Sequence, residues 1–236
     1  MQPGFIPFEM HLHTKEVSAC ARDDAATMMK ALVDKGFGGV FVTDHLSPYG
    51  LAHFASSTND YFNLTLSWEE IVTRYLRGYD TAKLVGEAMG LKVFLGVELT
   101  LEQGPEDYLI YGVDREFLMA HRYIHTYSLP QLKQAVNSYG LPVIQAHPMR
   151  ENLTLQKQDH LDGIEVFNGS GEERNHNASA LEEAQKRGCL MTSGSDAHAA
   201  DEVGRGGMWL PDNIDDGFQM AQYIAAYNKE IQLICN

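Results

Sequence analysis

The stretch FEMHLHTKEV (residues 8–17) places His11 and His13 on either side of a single leucine. Apolar residues precede it from Phe5 onward, which indicates a buried β-strand at this point of the chain. Successive side chains of a strand point to opposite faces, so the two imidazoles share one face and could bind the same metal ion. A pair of structural histidines at a strand end is the alternative interpretation, and the rest of the chain has to decide between the two.

The length and composition are those of an ordinary globular protein. The chain has 236 residues, of which 44% are hydrophobic, and we predict a single domain over residues 1–236. No apolar run reaches the roughly 18 residues of a membrane-spanning helix, and the first residues do not resemble a signal peptide. Cys20, Cys189 and Cys235 are widely spaced, so we expect no disulfide framework and a reducing, cytoplasmic location.

The net charge limits the classes of partner. Eighteen Lys and Arg residues face 32 Asp and Glu residues, which gives a formal charge of −14. Such a surface repels nucleic acid and anionic membranes, because binding to both depends on neutralising phosphate groups. Metal ions in a pocket can reverse the sign of the charge locally. The charge therefore disfavours a nucleic-acid-binding module and is compatible with a metal-dependent enzyme; it does not predict an oligomeric state.

Short β-rich segments alternate with longer helical ones along the chain. This alternation is typical of an α/β protein with mainly parallel strands. We predict one long helix over residues 67–90, another over about 214–227, and a final strand over 230–234. Residues 46–64 are predicted to form a long loop, rich in Ser, Asn and aromatic residues.

Ionisable side chains directly follow five apolar segments, at the points where the predicted strands end. They are His11 and His13, Asp44 and His45, Glu98, His147, and Asp196 with His198. Because the carboxyl ends of the strands converge in α/β barrels and open sheets, this pattern predicts a metal site. All donors are nitrogen or oxygen atoms, which suits Zn, Mn or Fe, and they exceed the coordination sphere of one ion. We therefore expect two or three divalent ions, a kind of site that hydrolyses phosphate esters or amides.

The motifs HLH, VTDH, GVE, AHP and GSDAH, in this order and spacing, resemble those of the polymerase and histidinol phosphatase (PHP) family of metal-dependent phosphoesterases. The resemblance extends from about Phe8 to Gly206. It implies a distorted seven-stranded β/α barrel with a trinuclear site at the carboxyl ends of the strands. The family includes histidinol-phosphate phosphatases, nucleotide and oligonucleotide phosphoesterases, and exonuclease domains associated with polymerases.

The resemblance also implies a role for each matching residue. The first metal would be bound by His11, His13, Glu98 and Asp196; the second by Glu98, as a bridge, and His147; and the third by His45 and His198. Glu98 and Asp196 would be the catalytic carboxylates. Asp44 is expected to orient a neighbouring ligand rather than to bind metal.

The chain departs from the family pattern at two positions. Six residues after His13, where many members have an Asp or a His, it has Ala19, so the third metal lacks a ligand unless Glu16 or Cys20 substitutes. For a further ligand of the second metal the nearest equivalent is Asp114, which could equally be a turn residue. Two ions are therefore the firmer expectation.

Basic residues near the motifs are candidates for binding phosphate. Arg150 follows AHP and Arg205 follows GSDAH, and a guanidinium binds phosphate in a bidentate manner; surface ion pairs are the alternative interpretation. At the end of another predicted strand, Glu165 is expected to support the site from within, and Asn168 could contact substrate.

The function predicted from these residues is hydrolysis of a small phosphomonoester, a phosphorylated metabolite or nucleotide, by a metal-bridging hydroxide. The alternatives are a phosphodiesterase or exonuclease that acts on oligonucleotides, and a degenerate, non-catalytic PHP module with a regulatory role. Retention of all seven ligands argues against the last of these.

Several aromatic and histidine residues lie outside the motifs. Within the long loop, five side chains could cover the pocket or pack the loop onto the barrel: Tyr49, His53, Phe54, Tyr61 and Phe62. Four further histidines are expected to be solvated or to cap helices: His121, His125, His160 and His176.

Overall fold

Strands and helices alternate through most of the chain. A computed structural model describes residues 3–55 and 65–236. Within these residues the strands are β1 (Phe5–Glu9), β2 (Gly39–Val42), β3 (His45–Leu46), β4 (Lys92–Thr100), β5 (Asp107–Tyr111), β6 (Ile144–Gln145), β7 (Gly163–Asn168), β8 (Leu190–Gly194), β9 (Gly206–Pro211) and β10 (Leu233–Cys235). The helices are α1 (Ala25–Asp34), α2 (Pro48–Ala55), α3 (Trp68–Tyr75), α4 (Arg77–Ala88), α5 (Arg115–Ala120), α6 (Leu129–Asn137), α7 (Glu172–Asn175), α8 (Asn177–Arg187) and α9 (Gly217–Tyr227).

The strands form one curved sheet in the order β10-β9-β1-β2-β4-β5-β6-β7-β8, and β3 pairs with β4 outside this path. The segments that follow β1 and β8 meet and nearly close the sheet into a barrel: the His13 amide donates to the Ala197 carbonyl at 3.0 Å, and the Ala197 amide donates to the His11 carbonyl at 3.1 Å. The predicted α/β class is therefore confirmed, as a nearly closed barrel. The predicted count of seven strands is not confirmed, since the path contains nine strands among the described residues.

The sheet is mixed rather than mainly parallel. β1, β2 and β4 run parallel, as do β6, β7 and β8, but β5 is antiparallel to both of its neighbours. The connection 101–106 is too short for the crossover that a parallel pair requires, so β4 and β5 form a hairpin. The amino end of β5 therefore lies beside the carboxyl ends of the parallel strands.

Aromatic rings from four strands fill part of the barrel. Phe8 lies 5.5 Å from Phe94, and Phe41 lies 5.0 Å from Tyr111, between ring centroids. Each pair joins strands that have another strand between them, and strands two positions apart in a flat sheet are about 10 Å apart. The rings therefore lie on the concave side of the curved sheet. Outside it, α1 and α4 pack on β2 and β4 through Met28, Met29 and Val93.

Capping groups define where the helices begin. The Asp24 carboxylate accepts from the Thr27 amide at the start of α1, and Ser67 and Glu70 form a capping box at the start of α3. The single helix predicted over 67–90 is divided into α3 and α4 at Leu76. Of the predicted loop 46–64, the first part contains β3 and α2, and Tyr61 and Phe62 lie outside the described residues.

The strand β9 has no counterpart among the predicted elements, because its short apolar run begins with two glycines and ends with a proline. One histidine prediction is wrong: His125 is fully buried beside Trp68, and burial lowers its pKa to about 4. None of the described helices has the length and apolarity needed to cross a membrane.

Candidate metal centre

Glu98 lies at the centre of a cluster of imidazoles. It belongs to β4, and its carboxylate oxygens lie 3.2 Å from His11 Nε2, 3.4 Å from His13 Nε2, 2.8 Å from His45 Nδ1 and 3.1 Å from His147 Nε2. His11 and His13 lie in the segment that follows β1, His45 lies in β3, and His147 follows β6. All of these positions are at the same rim of the barrel. The parallel strands therefore bring these five predicted residues together.

The other two predicted ligands join the cluster from the segment after β8. Asp196 Oδ1 lies 3.5 Å from His11 Nε2 and 3.3 Å from His13 Nε2. The His198 ring lies 4.4 Å from the His13 ring, and its Nδ1 is 3.0 Å from the Asp196 carbonyl oxygen. All seven residues predicted to bind metal thus lie in one cluster.

The cluster contains buried nitrogen atoms that a metal ion would satisfy. Among the described residues, neither His11 Nε2 nor His13 Nε2 has a hydrogen-bond partner, although both side chains are fully buried. A buried polar atom without a partner costs roughly 1–3 kcal/mol, and an imidazole nitrogen is a good ligand for divalent metals. The donor set therefore fits divalent metal ions.

The donor atoms form three overlapping groups, in each of which the atoms lie within 4.8 Å of one another. The groups are His11, His13 and Glu98; Glu98, Asp107 and His147; and His13, His45 and His198. Two of them share Glu98 and two share His13, so neighbouring ions would share ligands.

Electrostatic interactions keep the carboxylates of the cluster ionised. Burial alone would raise the pKa of Glu98, but the charges of His11 and His45 hold it well below its usual range. For Asp196 burial again opposes ionisation, and His11 and His13 hold its pKa well below the ordinary value. Burial, followed by the charge of His45, lowers the pKa of His13 and favours the neutral imidazole that binds metals.

Asp107 is a member of the cluster that the sequence interpretation missed. It begins β5, its Oδ2 lies 3.7 Å from His147 Nε2, and burial raises its pKa to about 6. Because β5 is antiparallel to its neighbours, its amino end lies at this rim, whereas the prediction considered only the carboxyl ends of strands. Asp114, the predicted candidate, is instead the cap of α5 and accepts from the Phe117 amide at 2.7 Å.

A second set of carboxylates holds the cluster in place. Glu165 is buried in β7, where Oε1 lies 2.9 Å from His11 Nδ1 and Oε2 accepts from the His147 amide at 3.0 Å. Asp44 accepts from the Thr14 amide and hydroxyl, both at 2.6 Å, and from the Ser18 hydroxyl at 2.7 Å. Both carboxylates therefore hold residues of the cluster or their supporting segments in place.

Two cluster residues have strained backbones. His147 has a φ of 29° and Asp196 a φ of 52°, in the left-handed region that non-glycine residues rarely occupy. Such conformations cost on the order of 1–3 kcal/mol each and concentrate at functional sites. Both residues lie where the chain turns after a strand, His147 after β6 and Asp196 after β8.

A cavity of about 430 Å³ opens over the cluster. Its wall includes the two predicted arginines, Arg150 and Arg205, and also Arg174, which was not predicted. The Arg150 guanidinium donates to Asp196 Oδ2 at 2.8 Å and to Asn175 Oδ1 at 2.8 Å. The three guanidiniums therefore share the cavity wall with residues of the cluster.

Within residues 3–55 and 65–236, the other predicted contacts with substrate are not found. Asn168 is buried and its amide donates to Glu165 and to Asp196, so it supports the cluster instead of lining the cavity. Tyr49, His53 and Phe54 are absent from the cavity wall, and Phe54 packs against the core. For Phe54, the alternative interpretation therefore applies: its side chain packs onto the barrel.

The segment between β1 and α1 brings one further group to the cavity. Cys20 lines its wall beside His45 and His198; burial would raise the pKa of this thiol, but hydrogen bonds with His198 and His45 lower it to about 6. Glu16, the other predicted substitute ligand, accepts from the Ala25 amide at the start of α1 and is directed away from the cluster.

Comparisons with known proteins agree with this architecture. A family model described as PHP-associated matches residues 174–226. PsfC from Pseudomonas syringae PB-5123 superposes with a TM-score of 0.69 at 18% identity, covering 99% of this chain and 92% of its own. No curated protein sequence matches the chain.

Two further solved structures share the fold over a smaller part of their own length. One is a two-domain protein from Bacteroides vulgatus ATCC 8482 that contains a predicted PHP-like metal-dependent phosphoesterase (TM-score 0.66, 14% identity, 99% of this chain and 66% of that one). The other is a lesion-specific endonuclease from Pyrococcus furiosus (TM-score 0.60, 12% identity, 97% of this chain and 57% of that one). At these identities the likeness shows the fold, and the matched family segment and the ordered motifs add to it. The matched segment and these structures support a PHP-family protein, in agreement with the resemblance that the motifs carry.

Proposed function

We propose that the protein is a metal-dependent phosphoesterase that hydrolyses a small phosphomonoester. The observation that carries the proposal is the composition of the cavity, whose wall combines residues of the candidate metal cluster with Arg150, Arg174 and Arg205. A phosphate group carries negative charge and several acceptor oxygens, so both metal ions and guanidinium groups bind it.

Two or three divalent ions, Zn, Mn or Fe, would be held by the three groups of donors. His11, His13, Glu98 and Asp196 would hold the first, Glu98, Asp107 and His147 the second, and His13, His45 and His198 are the donors nearest a third. When bound, the ions would polarise the phosphoryl group and lower the pKa of water towards neutrality. Glu98, shared between two groups, would fix their separation.

Arg150 is suited to orienting the phosphate. Its hydrogen bonds to Asp196, Asn175 and Ser170 hold the guanidinium in one position, so binding would cost little side-chain entropy. Arg174 and Arg205 would add charge on the same side. Arg150 also contacts Asp196, one of the residues expected to bind metal. Arg150 would therefore couple the position of the phosphate to that of the ions.

The size of the cavity and the charge of the surface favour a small substrate. About 430 Å³ is within the usual range for small-molecule sites. Outside the cavity, the −14 charge would repel the additional phosphates of a polynucleotide. A phosphorylated metabolite or a nucleoside monophosphate fits these conditions better than an oligonucleotide does.

A panel of phosphomonoesters and a single-stranded oligonucleotide, assayed with the Mn-, Zn- and Fe-loaded protein, tests the proposal. Arg174→Met and Arg205→Met should each raise KM for the best monoester about tenfold or more, since a charge-assisted hydrogen bond contributes about 1.5–3 kcal/mol. Arg115→Met is the matched control, because Arg115 bonds to Thr73 on the exposed surface, and it should leave KM unchanged.

Faster turnover of the oligonucleotide than of every monoester would instead favour the phosphodiesterase alternative. Metal binding without hydrolysis of any substrate in the panel would favour the non-catalytic module.

A further inference from the structure

The group formed by His13, His45 and His198 lies where the chain departs from the family pattern. It contains three imidazoles and no carboxylate, and Ala19 stands where an Asp or His ligand was expected. His13 is fully buried, and its Nε2 has no hydrogen-bond partner among the described residues. The group therefore lacks an anionic ligand of the kind that the other two groups contain.

The backbone places Cys20 next to this group. Ser18 Oγ accepts from the His45 amide at 3.1 Å, and the Arg22 amide donates to the His198 carbonyl at 2.7 Å. The segment 18–22 thus joins the two strand ends that carry these histidines. Cys20 lies at its middle, is exposed, and lines the cavity wall together with His45 and His198.

We propose that Cys20 is a thiolate ligand of a third metal ion, which it binds together with His45 and His198 at the mouth of the cavity. This inference rests on the proposed metal-dependent function. On binding, the thiol would release its proton and supply the negative charge that a carboxylate would otherwise provide. The site would be of mixed imidazole and thiolate type.

Such a ligand changes the preference of the site for metals. Thiolate is a soft donor that selects Zn²⁺ or Fe²⁺, whereas Mn²⁺ prefers oxygen ligands. The other two groups contain carboxylates and imidazoles only. The third group should therefore be filled by Zn²⁺ or Fe²⁺ and left largely empty when Mn²⁺ is the only metal supplied.

Cobalt substitution tests the proposal without relying on activity, because a thiolate bound to Co²⁺ produces a charge-transfer band in the near ultraviolet. The Co²⁺-loaded protein should show this band, and Cys20→Ser should abolish it and bind one fewer cobalt ion per chain. Cys189→Ser and Cys235→Ser are matched controls, since Cys189 contacts the Ala184 carbonyl and Cys235 lies beside Ser193, and neither lines the cavity. Both should retain the band.

Cys20→Asp provides a second variant, because a carboxylate restores an anionic donor. It should bind the full number of cobalt ions without the thiolate band. A band that persists in Cys20→Ser, or a wild-type protein that binds cobalt with no band, would overturn the assignment of Cys20 and leave the proposed function standing. A wild-type protein that binds no metal would overturn both.

Discussion

At the scale of single residues, the position of Glu98 determines what the cluster can do. Four imidazoles lie within 3.4 Å of its carboxylate, and it is the only one of the buried carboxylates described that belongs to two groups of metal donors. Glu165 is equally buried, but it contacts His11 through Nδ1 and His147 through the backbone amide, and not through the Nε2 atoms that face Glu98. The two glutamates are thus alike in burial and different in role.

Replacing each glutamate by glutamine separates these roles. Glu98→Gln should lose at least two bound ions, because an amide is a much weaker ligand than a carboxylate and both groups depend on it. Glu165→Gln keeps a hydrogen-bonding group and should weaken metal binding by about 10–100-fold without abolishing it, which is typical of residues that orient ligands. Metal titration of both variants measures this; equal losses would show that Glu98 is not the shared ligand.

At the scale of elements, the direction of β5 decides which aspartate reaches the site. The alternation of strands and helices correctly predicted the converging carboxyl ends, and with them all seven clustered residues. It could not reveal that the short connection 101–106 reverses the chain, since an apolar run reads the same in either direction. Asp107 was missed for this reason, and Asp114 was considered in its place.

The two aspartates should respond differently to substitution by asparagine. Asp107→Asn should weaken metal binding at the group it forms with Glu98 and His147, with little change in the thermal stability of the metal-free protein. Asp114→Asn should leave the metal content unchanged, because Asp114 caps α5 and asparagine is also a good cap. A loss of metal in Asp114→Asn, with none in Asp107→Asn, would reverse the assignment.

At the scale of the whole molecule, the chain carries −14 overall. Three arginines line the cavity beside three carboxylates, those of Asp107, Asp196 and Glu202. The sequence revealed the overall charge and two of the arginines, because they follow motifs. It did not reveal Arg174, which lies in a short helix far from any motif and is brought to the cavity by the turn after β7. The strand β9 was not predicted either, because its pairing with β1 depends on contacts distant in sequence. The predicted final strand is found as β10, which pairs with β9.

The proposed function depends on a multinuclear metal centre at the rim of this barrel, and elemental analysis of protein purified without chelators measures the bound ions. Within the described part of the chain, His11 Nε2 and His13 Nε2 are buried without hydrogen-bond partners, and Glu98 belongs to two of three groups of donors. This arrangement predicts at least two divalent ions per chain. Finding two or three ions would agree with this account. Finding none, even after incubation with Zn²⁺, Mn²⁺ or Fe²⁺, would contradict it.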